Sequence, residues 1–213
     1  MKKLILALAI ILLAFGCSSG PTVLPLLNEG EEVVLYDSFE DYAAFNPWAA
    51  VGESWGDNDS STSVELSDIG VTDGAASLAC NYTMILRPDL GDDTIGQATF
   101  NYDSPELNDW TGIKAMAVDF TNNTGGPIKV YAAVCTGASW FWQETYPPIE
   151  LGEGTTQNVR FEFTENIKSA DTDWQPAGTE IRDLQTVMRI TIRIQAPIDT
   201  TNTVYIDNVR LIK

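Results

Sequence analysis

The 213-residue chain contains no histidine. That absence removes imidazole acid–base chemistry, Ser-His-Asp triads and His-ligated zinc from consideration. Cations are scarce: twelve Lys and Arg stand against thirty Asp and Glu, a formal net charge of −18 at pH 7. Polyanions are repelled by such a chain, so nucleic acid is not an expected partner, whereas neutral ligands and cations are. Cysteine is also rare, at three residues. Cys80 and Cys135 lie in strand-like runs, where they either pair in an oxidising compartment or pack as small apolar side chains. No long 3.6-residue period, internal repeat or second domain boundary is visible, and the length suits one sizeable domain.

The one long apolar run opens the chain. MKKLILALAIILLAFGC has two lysines, an apolar stretch from Leu4 to Phe15 and then Gly-Cys, the arrangement of an export signal. Cys17-Ser18-Ser19-Gly20 resembles the lipobox of bacterial lipoproteins, although Ala14 and Phe15 stand where Leu and a small residue are commoner, which keeps ordinary signal cleavage open. The resemblance implies a signal peptide over 1–16, lipidation of Cys17, a tether over 17–31 and a folded domain over 32–213. It also implies anchoring at the bacterial cell envelope through Cys17, with Ser18 favouring the outer membrane. Loss of Lys2 and Lys3 with the signal takes the net charge to −20.

The remainder reads as short strands between turn residues, which predicts an all-β fold: a single jelly-roll sandwich of about ten antiparallel strands. Alternation is clearest in VMRITIRIQ, where Met188, Ile190, Ile192 and Ile194 point one way and Arg189, Thr191, Arg193 and Gln195 the other. NVRFEF likewise sends Val159, Phe161 and Phe163 inward and Arg160 and Glu162 outward, and FTNNTGGPIKVY reads as a hairpin around Gly125-Gly126. Asp183 to Thr186 reads as a helical turn. SWFWQETY, predicted as a strand from Ser139 to Thr145, places Phe141 inward with Gln143 beyond it, and Trp140, Trp142, Glu144 and Tyr146 together on the wet face. Two tryptophans there form an apolar patch of the size that marks binding. Flat rings suit the C–H face of a pyranose, and Glu144, Arg160, Glu162, Arg189, Arg193 and Gln195 supply hydroxyl partners; the same equipment serves a protein partner.

Four segments carry a family resemblance: LYDSFEDY (35–42), VTDGAASLACNY (71–82), DWTGIKAMAVDF (109–120) and VYIDNVRLI (204–212). In that order they resemble the galactose-binding-like jelly rolls of non-catalytic carbohydrate-binding modules, most nearly family 11, which binds β-glucans. The resemblance spans about Val33 to Lys213 and implies a concave sheet that stacks a neutral polysaccharide on aromatic rings. Within it, SWFW aligns Trp142 with a sugar-contacting aromatic, and TDWQPAG resembles a D-Y-Q-P-P-G loop, making Trp174 a second platform. Tyr82 corresponds to a third ligand-facing ring, although alternation sets it with Leu78 and Cys80 toward the core. Trp55 is the expected early-loop ring, and Trp110 is expected to pack against the sandwich edge.

The same resemblance implies a structural Ca²⁺ where the first and last segments meet, held by Glu40 and Asp207, with Asp37 nearby and carbonyl help from about Asp73 to Ser77. Two other classes of function are weighed. A glycoside hydrolase or lyase would need paired carboxylates, for which Glu144 and Glu162 on neighbouring strands are the candidates. A surface lipoprotein docking a protein would use the same aromatic face. A binding module would work beside secreted glycoside hydrolases.

Overall fold

A computed structural model describes residues 27–40, 48–51, 61–85, 94–103, 105 and 108–213. Thirteen strands occur among them. Those of the first sheet are β1 (Val33–Asp37), β3 (Ser61–Ser67), β4 (Ser77–Thr83), β6 (Ala115–Asn122), β10 (Thr155–Glu162) and β13 (Thr201–Ile212). Those of the second are β2 (Trp48–Val51), β5 (Ile95–Asp103), β7 (Ile128–Thr136), β8 (Phe141–Thr145), β9 (Ile149–Leu151), β11 (Ile167–Ser169) and β12 (Val187–Pro197). The first sheet runs β10-β6-β13-β4-β3, with β1 on β13; the second runs β11-β8-β7-β12-β5-β2, with β9 on β7. Every pairing is antiparallel. The expected all-β jelly-roll sandwich is therefore present.

Period-two patterning explains the layers. Phe100, Val130, Ala132, Val134, Ile190, Ile192 and Ile194 of the second sheet meet Leu78, Val118, Phe120, Phe161, Val204 and Ile206 of the first in one buried cluster. Trp110 joins it, stacked on Phe163 at 10° between ring planes, as expected of an edge-packing ring.

Three local expectations are corrected. The predicted Gly125-Gly126 hairpin is a crossing between sheets, since β6 belongs to the first and β7 to the second. Asn122 holds that arch by donating from Nδ2 to the carbonyls of Gly126, Leu151 and Gly152. A register shift between Val187 and Arg189 puts Val187 in the core and leaves Met188 half-buried. Strand β8 begins at Phe141 instead of Ser139, because Trp140 adopts φ +53° and donates its amide back to Gly137 in a turn. Asp183 to Thr186 forms one such turn too, closed by a 2.9 Å bond from Thr186 N–H to Asp183 C=O. Cys80 faces the core from the first sheet and Cys135 lies on the outer side of the second; both are free thiols.

Candidate functional site

The register of the second sheet sets its outward side chains in four rows. Trp142, Cys135, Arg189 and Asp103 form the first; Glu144, Ala133, Thr191 and Asn101 the second. Tyr131, Arg193 and Thr99 form the third, and Lys129, Gln195 and Gln97 the fourth. The small side chains on β7, Ala133 and Cys135, leave a channel that longer neighbours cross. Arg193 uses it to reach Glu144 at 2.8 Å, and Glu144 also accepts the Trp142 indole N–H at 3.1 Å. The Arg193 guanidinium lies 5.2 Å from the Trp142 ring and 5.3 Å from that of Tyr131.

Arg189 is bonded through both its Nε and a terminal nitrogen to Asp103, the second at 2.8 Å, and stands 5.3 Å from the Trp140 ring. That carboxylate raises the Arg189 pKa further above its ordinary value. Thr191 donates to Asn101 at 2.7 Å and the Tyr131 hydroxyl to Gln97. Burial pushes the Cys135 thiol, at the floor of the first row, up to about 11.

Several predicted site residues thus converge: Trp142, Glu144, Arg189 and Arg193 share this face, with Trp140 at its end. Trp174 is exposed beyond the C-terminal end of β11. Tyr146 follows β8 at the opposite end and carries the Lys168 ammonium 3.9 Å over its ring. Phe141 is not in the core; it lies half-buried beneath the Arg182 guanidinium at 3.6 Å, while Gln143 takes the buried place and bonds Thr136 and Arg182 backbone.

Others do not belong. Arg160 and Glu162 lie on β10, in the other sheet, where Arg160 holds Glu31 at 2.7 and 2.8 Å. That guanidinium lowers the Glu31 pKa to about 2. The carboxylate pair Glu144 and Glu162 is therefore not assembled. Tyr82 is a core residue, 2 % exposed, as plain alternation had it. Trp55 and Cys17 lie outside the described residues. Sequence reasoning missed Asp103, Tyr131, Lys168 and Arg182. The first two were readable: GQATFNYD and KVYAAVC alternate polar or small residues with apolar ones.

At the chain-end junction, the loop between β3 and β4 is clasped by two carboxylates. Asp207 accepts backbone N–H groups of Thr72 (2.6 Å), Asp73 (2.9 Å) and Asn208 (2.7 Å). Glu40 accepts those of Ala75 (2.7 Å) and Ala76 (2.8 Å), and a Cβ on Gly74, at φ +70°, would collide with it. A bulge at Asn208, φ +50°, turns both Asp207 and Arg210 outward. Arg210 and Asn158 bond Asp119 beside it, and burial lifts the Asp207 pKa to about 6 against the pull of its amide donors. Both oxygens of Asp37 are taken, by Phe39 N–H at 2.9 Å and the Trp48 indole at 3.0 Å. Among the described residues no three acidic or thiol groups converge as a metal cluster. Among the hydrogen bonds of the described residues, Glu40 Oε2 accepts none and Asp207 Oδ1 accepts that of Asn208 alone. Carboxylate oxygens of this kind are the donors a hard cation takes, and Glu40 and Asp207 are the residues that could hold one.

Two antiparallel sheets packed face to face form a jelly-roll sandwich, with rings and hydrogen-bonding side chains gathered on one outer face. Among solved structures, the chain is similar to the family 11 carbohydrate-binding module from Clostridium thermocellum in complex with a β-1,3-1,4-mixed-linked tetrasaccharide: TM-score 0.55, 14 % identity, covering 85 % of this chain and 94 % of that one. It is also similar to a family 28 module specific for non-crystalline cellulose (TM-score 0.52, 18 % identity, 84 % and 95 % covered). A part of an exo-β-agarase matches too (TM-score 0.56, 13 % identity), with 84 % of this chain but 25 % of that one covered. No protein-family model and no curated protein sequence matches the chain.

Proposed function

We propose that this protein is a non-catalytic carbohydrate-binding module that holds a neutral polysaccharide of the β-glucan type against the outer face of its second sheet. The observation that carries this reading is the meeting of Trp142, Glu144, Arg193, Arg189 and Trp140 on one face of a carbohydrate-binding-module fold. Stacking on the indoles supplies attraction, and the more exposed Arg189–Asp103 pair offers donors and acceptors to hydroxyls without net charge. Affinity electrophoresis through gels cast with mixed-linkage β-glucan, non-crystalline cellulose derivative or agarose tests it. Retardation with no release of reducing ends is expected; released ends would support a hydrolase, and free migration in every gel would reject the reading.

The reading extends to the cell. A lipid on Cys17 would tether the domain to the bacterial envelope, at the outer membrane, where it would retain glycan for secreted glycoside hydrolases. Globomycin-sensitive processing and metabolic labelling of Cys17 with a fatty-acid probe test the anchor. A Ca²⁺ ion held by Glu40 and Asp207 would tie the β3–β4 loop to both ends of the domain. Added Ca²⁺ should then raise Tm and a chelator lower it, with the response absent in Asp207→Asn; a Tm indifferent to both would discard the ion.

A further inference from the structure

We infer that the side of the sandwich carries a second, separate binding site: a small cavity beside Tyr146 that takes a single neutral pyranose ring. Its walls share no residue with the Trp142–Arg193 face, so the inference goes beyond the reading above and is tested apart from it.

The cavity exists because β8 and β9 share one edge of β7 and part company midway. β8 pairs with Ala133–Thr136 and β9 with Ile128–Val130, leaving Tyr131 and Ala132 between the two pairings. There a side chain continues the ladder: the Thr145 hydroxyl accepts the Ala132 N–H at 3.2 Å and donates to the Ala132 carbonyl at 3.1 Å. The chain then turns outward through Tyr146 and Pro147 before β9 begins at Ile149. The connection from β10 to β11, which crosses from the first sheet to the second, brings Glu165 and Asn166 to the same place. Between the two turns lies a cavity of about 170 Å³.

Its lining joins apolar and polar groups in the way small-ligand sites do. Phe161, 2 % exposed, and half-buried Ile149 form an apolar floor. Tyr146 stands at the mouth, 39 % exposed, and the Lys168 ammonium, 3.9 Å over one ring face, steadies the ring without being part of the wall. Exposed Glu165 and Asn166 bring a carboxylate and an amide whose side chains make no hydrogen bond among the described residues, so both are on offer to a ligand. A pyranose satisfies both halves of the site: the floor and Tyr146 take its C–H face, Glu165 and Asn166 its hydroxyls. Glu162 and Glu165 in the wall repel an anion, and Lys168 beside the ring repels a cation, which leaves a neutral occupant. The volume falls below the roughly 300 to 1,000 Å³ of drug-sized clefts and suits one ring instead of a chain.

The experiment titrates methyl β-D-glucopyranoside and methyl β-D-galactopyranoside into the ¹⁵N-labelled protein and follows its ¹H–¹⁵N spectrum. The inference predicts saturable shifts, with a millimolar Kd for at least one of the two glycosides, at the Asn166 side-chain amide and the backbone amides of Tyr146 and Ile149. Asn166→Gly, which suits the φ of +54° found there, should weaken this binding by about tenfold, and Tyr146→Ala by about as much, with circular dichroism and retardation in polysaccharide gels unchanged. Asn166→Gly decides alone if Tyr146→Ala fails to fold. Trp140→Ala with Trp174→Ala should leave the Kd at the cavity within about twofold. No saturable shift at these positions up to about 100 mM of either glycoside would overturn the inference, as would shifts that persist in Asn166→Gly with an unchanged Kd. Either result leaves polysaccharide retention by the second sheet, read separately in the gels, standing.

Discussion

Replacing Glu144 by Gln removes one charge from the centre of the site while keeping an acceptor for the Trp142 indole. Its partner Arg193 then keeps a guanidinium whose side chain is only 13 % exposed, against 15 % for Glu144. Exposed ion pairs are worth about 0 to 1 kcal/mol, whereas breaking a fully buried one costs about 3 to 5. Arg193 keeps other contacts, so the pair lies between these limits, and we expect Glu144→Gln to destabilise the domain by about 1 to 2 kcal/mol. For a domain of this size that lowers Tm by about 2 to 8 °C. Arg193→Met leaves Glu144 buried without its cation and should cost a similar amount. The double variant removes both charges and should be milder than the sum, with a coupling energy of about 1 to 3 kcal/mol in a urea-unfolding cycle. The Arg193 contacts to Trp142 and Tyr131 persist in Glu144→Gln, so they cancel from the coupling. A coupling below about 0.5 kcal/mol would mean that the two groups do not hold each other across Ala133, and the described arrangement of the site would be refuted.

Three further outcomes follow from other parts of the fold. Trp110→Ala, which empties a fully buried, stacked position against Phe163, should cost about 3 to 5 kcal/mol in the same unfolding assay with glycan affinity per folded molecule unchanged. The Glu31 pKa is lowered from 4.5 to about 2 by Arg160, so its contribution is present above the unfolded value and is lost as pH falls from about 4.5 toward 2. Glu31→Gln should therefore lose most stability relative to wild type at neutral pH and converge with it near pH 2; a constant difference across that range would contradict the assignment. With its pKa pushed up to about 11 and its surface covered, Cys135 should resist iodoacetamide at pH 8 under native conditions and react, with Cys80, only on unfolding. Recovery of a Cys80–Cys135 disulfide from the native protein would overturn the sheet assignment.

The layers were legible because strands announce themselves by alternation. VMRITIRIQ and NVRFEF state which side is core, and the structure agrees apart from the bulge at Val187. What alternation within a strand cannot encode is which sheet the strand joins. That single unknown misplaced Arg160 and Glu162, which face outward as expected but from the opposite side of the sandwich. It also turned the Gly125-Gly126 arch into an apparent hairpin, since a turn between sheets and a turn within one use the same residues. Tyr82 shows the reverse: the family resemblance argued for a ligand-facing ring, local periodicity argued for the core, and periodicity was right. The burial of Gln97, Thr99, Asn101 and Thr191 was invisible in the sequence, because these are residues usually met on wet surfaces.

Indole N–H signals would read the proposed glycan contact residue by residue. In a ¹H–¹⁵N spectrum of the full domain titrated with the mixed-linkage tetrasaccharide, the account predicts saturable shifts for Trp140 and Trp174, with those of buried Trp48 and Trp110 stationary. Spectra in which neither exposed indole moves at saturating sugar, or in which only the buried pair responds, would contradict it.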